Sequence, residues 1–171
     1  MASRPASNID ANRIIESLAA TCRESPAAGG NLDFYLDLAE DLPAIVSNGD
    51  HLGQLFLGLI RKAMKAMPGG GSIRVSTRPW RSGPGMSHIE ISIEDTGRRL
   101  PDGVFWNLYP PSPNDRGQTD EESDLAIIGQ LVRDLGGLIN CRSSDKGTRF
   151  LVLLPLRKQP VTGEVGTAHG C

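Results

Sequence analysis

Two hydrophobic periods run along this chain, and the changes between them lay out its elements. From Asp50 to Met67 the spacing is helical: Leu52, Leu55, Phe56, Leu59, Ile60, Ala63 and Met67 form one apolar stripe. Asp50 stands where an N-cap belongs, and Pro68 followed by Gly69, Gly70 and Gly71 stops the run. Gln54, Gly58 and Lys62 are spaced by four and stack on a face that the stripe does not use, which marks that face as a place to look for function. A first helix is predicted over 11–22 from Ile14, Ile15, Leu18 and Ala19, capped at Asn8 or Asp10 and ended by Pro26 and Gly29-Gly30. A third follows Thr119 and Glu122, which have capping-box spacing, with Leu125, Ile127, Ile128, Leu131, Val132 and Leu135 ahead of Gly136-Gly137.

Elsewhere the period is two. Leu32, Phe34, Leu36 and Leu38 alternate with Asp33, Tyr35 and Asp37, the pattern of a strand with one buried face. Residues 72–77 and 88–94 alternate again around a hairpin loop at 79–85, and 138–142 and 148–155 form a second pair joined by a polar turn. Between them, 96–124 loses all periodicity and fills with Gly, Pro, Asn, Asp and Arg. A loop of that length is expected to act as a lid, anchored by the apolar knot Val104, Phe105, Trp106, Leu108 and Tyr109. The order of elements predicts an α+β fold, a two-layer α/β sandwich with helices on one face of a mixed sheet. Residues 1–9 are expected to be disordered or tag-like, 10–156 to form one domain, and 157–171 to be a flexible tail.

Composition narrows the function. With 171 residues, 39% hydrophobic and 22% charged, and a net charge of −2, the chain reads as one globular domain with no tendency toward bulk nucleic-acid binding. No apolar run approaches the roughly 20 residues that span a bilayer, and MASRPASNID has no secretory h-region, so a cytoplasmic location without direct membrane contact is expected. Cys22, Cys141 and Cys171 are too few and too scattered for a disulfide framework or a zinc site.

The runs LGQLFLGLIRKAMKAMPGGGSIRV, IEISIEDTGRRLP, VFWNLY, LAIIGQLVRDLGGLI and DKGTRFLVLLPL, in that order, resemble the boxes of the catalytic and ATP-binding domain of sensor histidine kinases, in the GHKL ATPase superfamily. The resemblance covers roughly residues 10–156 and implies a Bergerat fold: three helices on a mixed, mostly antiparallel five-stranded sheet, with a long lid loop. It also implies ATP or ADP as the cofactor. In the family, two asparagines four apart hold Mg²⁺ and the phosphates; here Gly58 and Lys62 stand there. Glycine has no ligand atom and lysine only donates, so Mg²⁺ and a metal site of the family type are not expected. Two readings of Lys62 stay open: an ammonium standing in for the metal, or a solvated lysine on a polar face with Arg61 and Lys65.

The first glycine box reads Asp95-Thr96-Gly97-Arg98-Arg99. The resemblance makes Asp95 the acceptor of the adenine amino group, with Gly97 beside it and Thr148 supporting the same end, while Arg99 replaces a glycine and is expected to fill or gate the pocket. At the second glycine box, where the family wraps phosphates with backbone N–H groups at a helix start, this chain has Asp120-Glu121-Glu122-Ser123-Asp124. Like charge facing a triphosphate there costs on the order of 1 kcal/mol per exposed pair. His51, His88 and His169 lack a helix-borne His-Glu or His-Asp context, so a separate phosphoacceptor module is expected, on a longer chain or in trans.

The resulting expectation is a degenerate histidine kinase domain, a pseudokinase module acting through protein contacts, with no confident catalytic residue. Its partners would be a helical dimerisation and phosphoacceptor domain, a response regulator or another kinase, met through Phe105, Trp106, Leu108 and Tyr109. The alternative is an active kinase that binds ATP through Asp95, Gly97 and Thr148 and uses Lys62 in place of the metal. A third reading is a serine kinase acting on an anti-sigma-factor antagonist, or a phosphotransfer protein with a vestigial ATPase domain.

Overall fold

A computed structural model describes residues 7–24, 31–82, 84–100 and 120–156. In chain order the elements are β1 (Ser7–Ile9), α1 (Ala11–Arg23), β2 (Leu32–Asp37), β3 (Ile45–Ser47), α2 (Gly49–Ala66), β4 (Gly71–Ser82), β5 (Gly85–Asp95), α3 (Asp120–Asp134), β6 (Leu138–Ser144) and β7 (Gly147–Pro155). Five strands form the main sheet in the order β2-β4-β5-β7-β6, with β2 parallel to β4 and every other pair antiparallel. The predicted mixed, mostly antiparallel sheet with three helices is what the structure shows.

The apolar alternation of β4, β5 and β7 puts Ile73, Val75, Ile91, Ile93, Phe150 and Val152 on one face, each at most 1% exposed. Against it lies the stripe of α2, with Leu52, Leu55, Phe56, Leu59, Ile60 and Ala63 equally sealed. Each such large side chain contributes about 1.5–3 kcal/mol relative to leaving it in water, and this stripe therefore fixes which way α2 faces. The opposite sheet face is polar: Arg78 pairs with Asp37 at 2.6 Å and Arg149 with Glu94 at 3.1 Å. The Arg78 guanidinium, bonded to Asp37, holds that carboxyl below its ordinary range.

Several boundaries differ from those predicted. Residues 7–9, within the stretch expected to be disordered or tag-like, form β1 and pair with β3, a strand that the pattern does not predict. Three-residue strands are too short to show a period. The N-cap of α2 is Asn48 and not Asp50: Asn48 has extended backbone, and its Oδ1 accepts from the backbone N–H of Asp50 at 2.9 Å and of His51 at 3.4 Å. Asp50 sits in the first turn, where a carboxylate still complements the helix dipole. For α1 the cap is Asp10, whose side chain accepts from the Arg13 N–H.

The β4–β5 hairpin is longer than predicted, with Pro79 inside β4 opposite Ile89 and a register shift between Trp80 and Arg81. Pairing with β2 ends at Ser76, so beyond it β4 runs as an edge strand, where proline is tolerated. Finally, α3 begins at Asp120, so 120–124 belong to the helix and not to the predicted lid.

Candidate functional site

The site is built where β5 ends beside the start of β7. Asp95, the last residue of β5, is the strand partner of Thr148, although 53 positions separate them in the chain. Its Oδ1 accepts from the Gly97 N–H at 2.8 Å and the Thr148 N–H at 3.3 Å. No hydrogen bond to Oδ2 is seen among the described residues. The turn after Asp95 is pinned to the end of α2, since the Arg98 N–H donates to the Ala66 carbonyl at 3.0 Å. Gly97 permits that approach: a Cβ there would stand 2.6 Å from the Ala66 Cβ and 2.8 Å from its carbonyl oxygen.

Two residues that the sequence did not single out complete this end. Ser143 on β6 lies 2.7 Å from the Thr148 hydroxyl, oxygen to oxygen, and accepts from the Leu100 N–H at 2.9 Å. Leu100 is buried at 7% exposure, whereas Arg99, expected to fill the pocket, is exposed. Ser143 could have been found from the short turn Asp145-Lys146, which sets the β6–β7 register and places it opposite Thr148.

Asp95 is only 7% exposed, and burial pushes its carboxyl above the ordinary value of 3.8, partly offset by the two backbone N–H groups. A raised folded-state value means that the native state binds the proton more tightly than the unfolded chain. Stability from this group is fully present below pH 3.8 and is lost as pH rises through the raised value. In Asp95→Asn that acid-side gain is absent, so the stability difference between the two proteins, followed by urea denaturation from pH 3.5 upward, should shift in favour of the variant as pH rises. A difference independent of pH would contradict the burial account.

The line Gln54, Gly58, Lys62 does not stay together on one solvated face. Gln54 and Gly58 border a groove between α2 and α3, whereas Lys62 turns inward and is 5% exposed. This overturns the solvated-lysine reading: the neighbouring apolar stripe carries Lys62 under with it. No hydrogen bond or ion pair of Lys62 is seen among the described residues. The half-buried Cys141 thiol is pushed up to about 12, by burial first and by Asp95 second, with Lys62 acting the other way.

At the other predicted positions the chemistry is different. A Cβ on Gly58 would stand 3.3 Å from Ile128 Cγ1 of α3, so an asparagine there has little room. Asp124 pairs with Lys65 at 2.7 Å across the two helices. Side chains of 120–123, and all of Phe105, Trp106, Leu108 and Tyr109, lie outside the described residues. Among the described residues no cluster of three or more His, Cys, Asp or Glu side chains could hold a metal.

The residues fit the two ends of a metal-nucleotide unequally. At the base end, a fixed carboxylate with an uncommitted oxygen, backed by Thr148 and Ser143, suits an amino-bearing purine edge. At the other end, Gly58 and Lys62 present no oxygen to a hard cation, so Mg²⁺ does not fit.

The chain is similar to known proteins in both sequence and fold. It is 30% identical over 152 residues to the sensory histidine kinase/phosphatase NtrB of Azospirillum brasilense, covering 82% of this chain and 38% of that protein. The chain therefore spans well under half the length of this curated relative. Among solved structures, a mycobacterial sensor histidine kinase, MprB, superimposes with a TM-score of 0.66 at 22% identity, over 90% of this chain and 99% of that one. The histidine kinase ThkA, solved in complex with the response regulator protein TrrA, superimposes with a TM-score of 0.69 at 16% identity, over 89% of this chain and 42% of that one. A family model described as histidine kinase-, DNA gyrase B-, and HSP90-like ATPase matches residues 47–158, and the chain belongs to that family.

Proposed function

We propose that this chain is the ATPase-type domain of a histidine kinase of a two-component system, with a degenerate metal-triphosphate end, so that it binds Mg-ATP weakly or not at all and signals through protein contacts. The observation that carries this reading is Lys62, a lysine only 5% exposed at a position where the family has a metal ligand. Gly58, pressed toward Ile128, supports it from the next turn. Relatives that pair a kinase with a response regulator, as ThkA does with TrrA, make a response regulator, a helical phosphoacceptor domain or a second kinase the natural partners. Among the described residues no helix is long and apolar enough to cross a membrane, and we place this domain on the cytoplasmic side.

The base end supports a second reading. Asp95, Gly97, Thr148 and Ser143 keep a built recognition edge, which favours an active kinase that binds nucleotide without metal and hands phosphate to a histidine on a partner. Calorimetric titration separates the two. With wild-type protein, Mg-ATP should give no saturable heat in the micromolar range, and chelating the metal should change nothing. Lys62→Asn, which restores one metal-type oxygen, should be the variant that gains Mg-dependent binding. Micromolar binding of Mg-ATP by the wild type would sink the degenerate reading, as would phosphate labelling of a partner histidine by the unmodified chain.

A further inference from the structure

Gly58 and Asp124, at the positions of the family's asparagine box and second glycine box, both line the groove between α2 and α3, which makes that groove the phosphate end of the nucleotide-type cleft. It meets the base end at Met67. That side chain lines the groove, and its Sδ lies 3.5 Å from Oγ1 of Thr96, the residue after Asp95. The groove holds a cavity of about 680 Å³, within the range of small-molecule sites. Its walls are apolar: Met64 and Met67 on the α2 side and Ile128 on the α3 side, with Ile127 at the lip, 60% exposed. Room for it exists partly because position 58 is glycine, where a Cβ would stand 3.3 Å from Ile128 Cγ1. Methionine walls adapt to irregular apolar shapes and do not select one rigid outline.

The charges around this end do not replace the missing metal. Lys65 and Asp124 satisfy each other at 2.7 Å. Of the remaining charges, Arg61 lines the groove and Lys62 follows it in α2, while the first turn of α3 carries Asp120, Glu121 and Glu122 in its sequence. Two cations against three carboxylates leave no positive surplus. Every phosphate on a ligand therefore adds like charge without a counter-charge, whereas an uncharged apolar group finds matching walls.

We infer that the cleft takes a phosphate-free purine nucleoside with an apolar group at its 5′ position, the amino edge of the base on Asp95 and the 5′ group against Met64, Ile127 and Ile128. This inference rests on the degenerate reading of the phosphate end and names the ligand class that such an end favours. The test is calorimetric titration of the full chain with 5′-methylthioadenosine, adenosine, inosine and ATP, with and without Mg²⁺. Adenosine should bind about tenfold more tightly than ATP, and the methylthio compound about tenfold more tightly than adenosine, the scale of two small apolar groups buried. Inosine, which offers a carbonyl where adenosine has its amino group, should bind about tenfold more weakly than adenosine. Ile127→Gln, at a position exposed enough to spare the fold, should reduce the preference for the methylthio compound and leave adenosine affinity unchanged. Equal affinity for adenosine and the methylthio compound, an undiminished preference in Ile127→Gln, inosine binding as tightly as adenosine, or no saturable binding of any purine would each overturn this inference and leave the degenerate reading standing. Micromolar binding of Mg-ATP would overturn that reading and this inference with it.

Discussion

Gly147→Ala should lose about 3–5 kcal/mol of stability, the largest effect expected of a methyl group added at any of the described glycines. Gly147 opens β7 with φ at +127°, a conformation that side chains rarely adopt. A Cβ built on it would overlap the carbonyl oxygen of Asp95. That oxygen cannot retreat freely, because Asp95 is held between two strands, opposite Ile73 on β4 and Thr148 on β7. The strain therefore falls on the residues proposed to recognise the base, and the variant should lose both stability and any affinity for purine ligands. Urea denaturation measures the first and calorimetry the second. Gly53→Ala is the control: nothing lies within 4 Å of a Cβ there, it is inside α2, and a gain of about 0.5–1 kcal/mol is expected. A loss below about 1 kcal/mol for Gly147→Ala would mean that the β5–β7 junction yields more easily than its pairing indicates.

Lys62→Met should act in the opposite direction and raise stability by about 1 kcal/mol at pH 7. Lys62 is 5% exposed as a residue with no hydrogen bond or ion pair among the described residues, and its Nζ keeps a narrow contact with solvent while its stem is buried. Replacing the ammonium by an unbranched apolar side chain of similar length removes a desolvation cost and keeps the packing against the α2 stripe. The same change should erase any stabilisation of the wild type by added inorganic phosphate, because it removes the cation that an anion in the cleft would meet. Such a trade, stability given up for a buried charge, is the pattern expected where a residue is retained for function. If Lys62→Met destabilises the protein by more than about 1 kcal/mol, the ammonium is structurally satisfied, and its place at the head of the functional reading falls.

Much of this was legible before any coordinates. The stripe Leu52, Leu55, Phe56, Leu59, Ile60 and Ala63 is read directly from a period of 3.6, and the same six residues are the sealed face of α2. The alternation of Ile73 and Val75, and of Ile89, Ile91 and Ile93, likewise appears as the buried face of β4 and β5. Of the site, Asp95, Gly97 and Thr148 are brought together as the motif resemblance implied. Lys62 was found by its position and misjudged in its surroundings. Its neighbours Arg61 and Lys65 are exposed, and a run of cations looks solvated until the width of the buried arc is known.

What the sequence by itself determined was the set of elements and their buried faces, because period and burial are local properties written into consecutive residues. Only the tertiary structure decided which distant groups meet: Ser143 against Thr148 and Leu100, Asp124 against Lys65, and Ile128 over the bare backbone of Gly58. Those meetings depend on strand order and on how closely two helices approach. Both are set by the summed packing of the core and by no short stretch of the chain. The depth of Lys62 belongs with them, since whether an ammonium lies under water or under protein is settled by what packs over its helix.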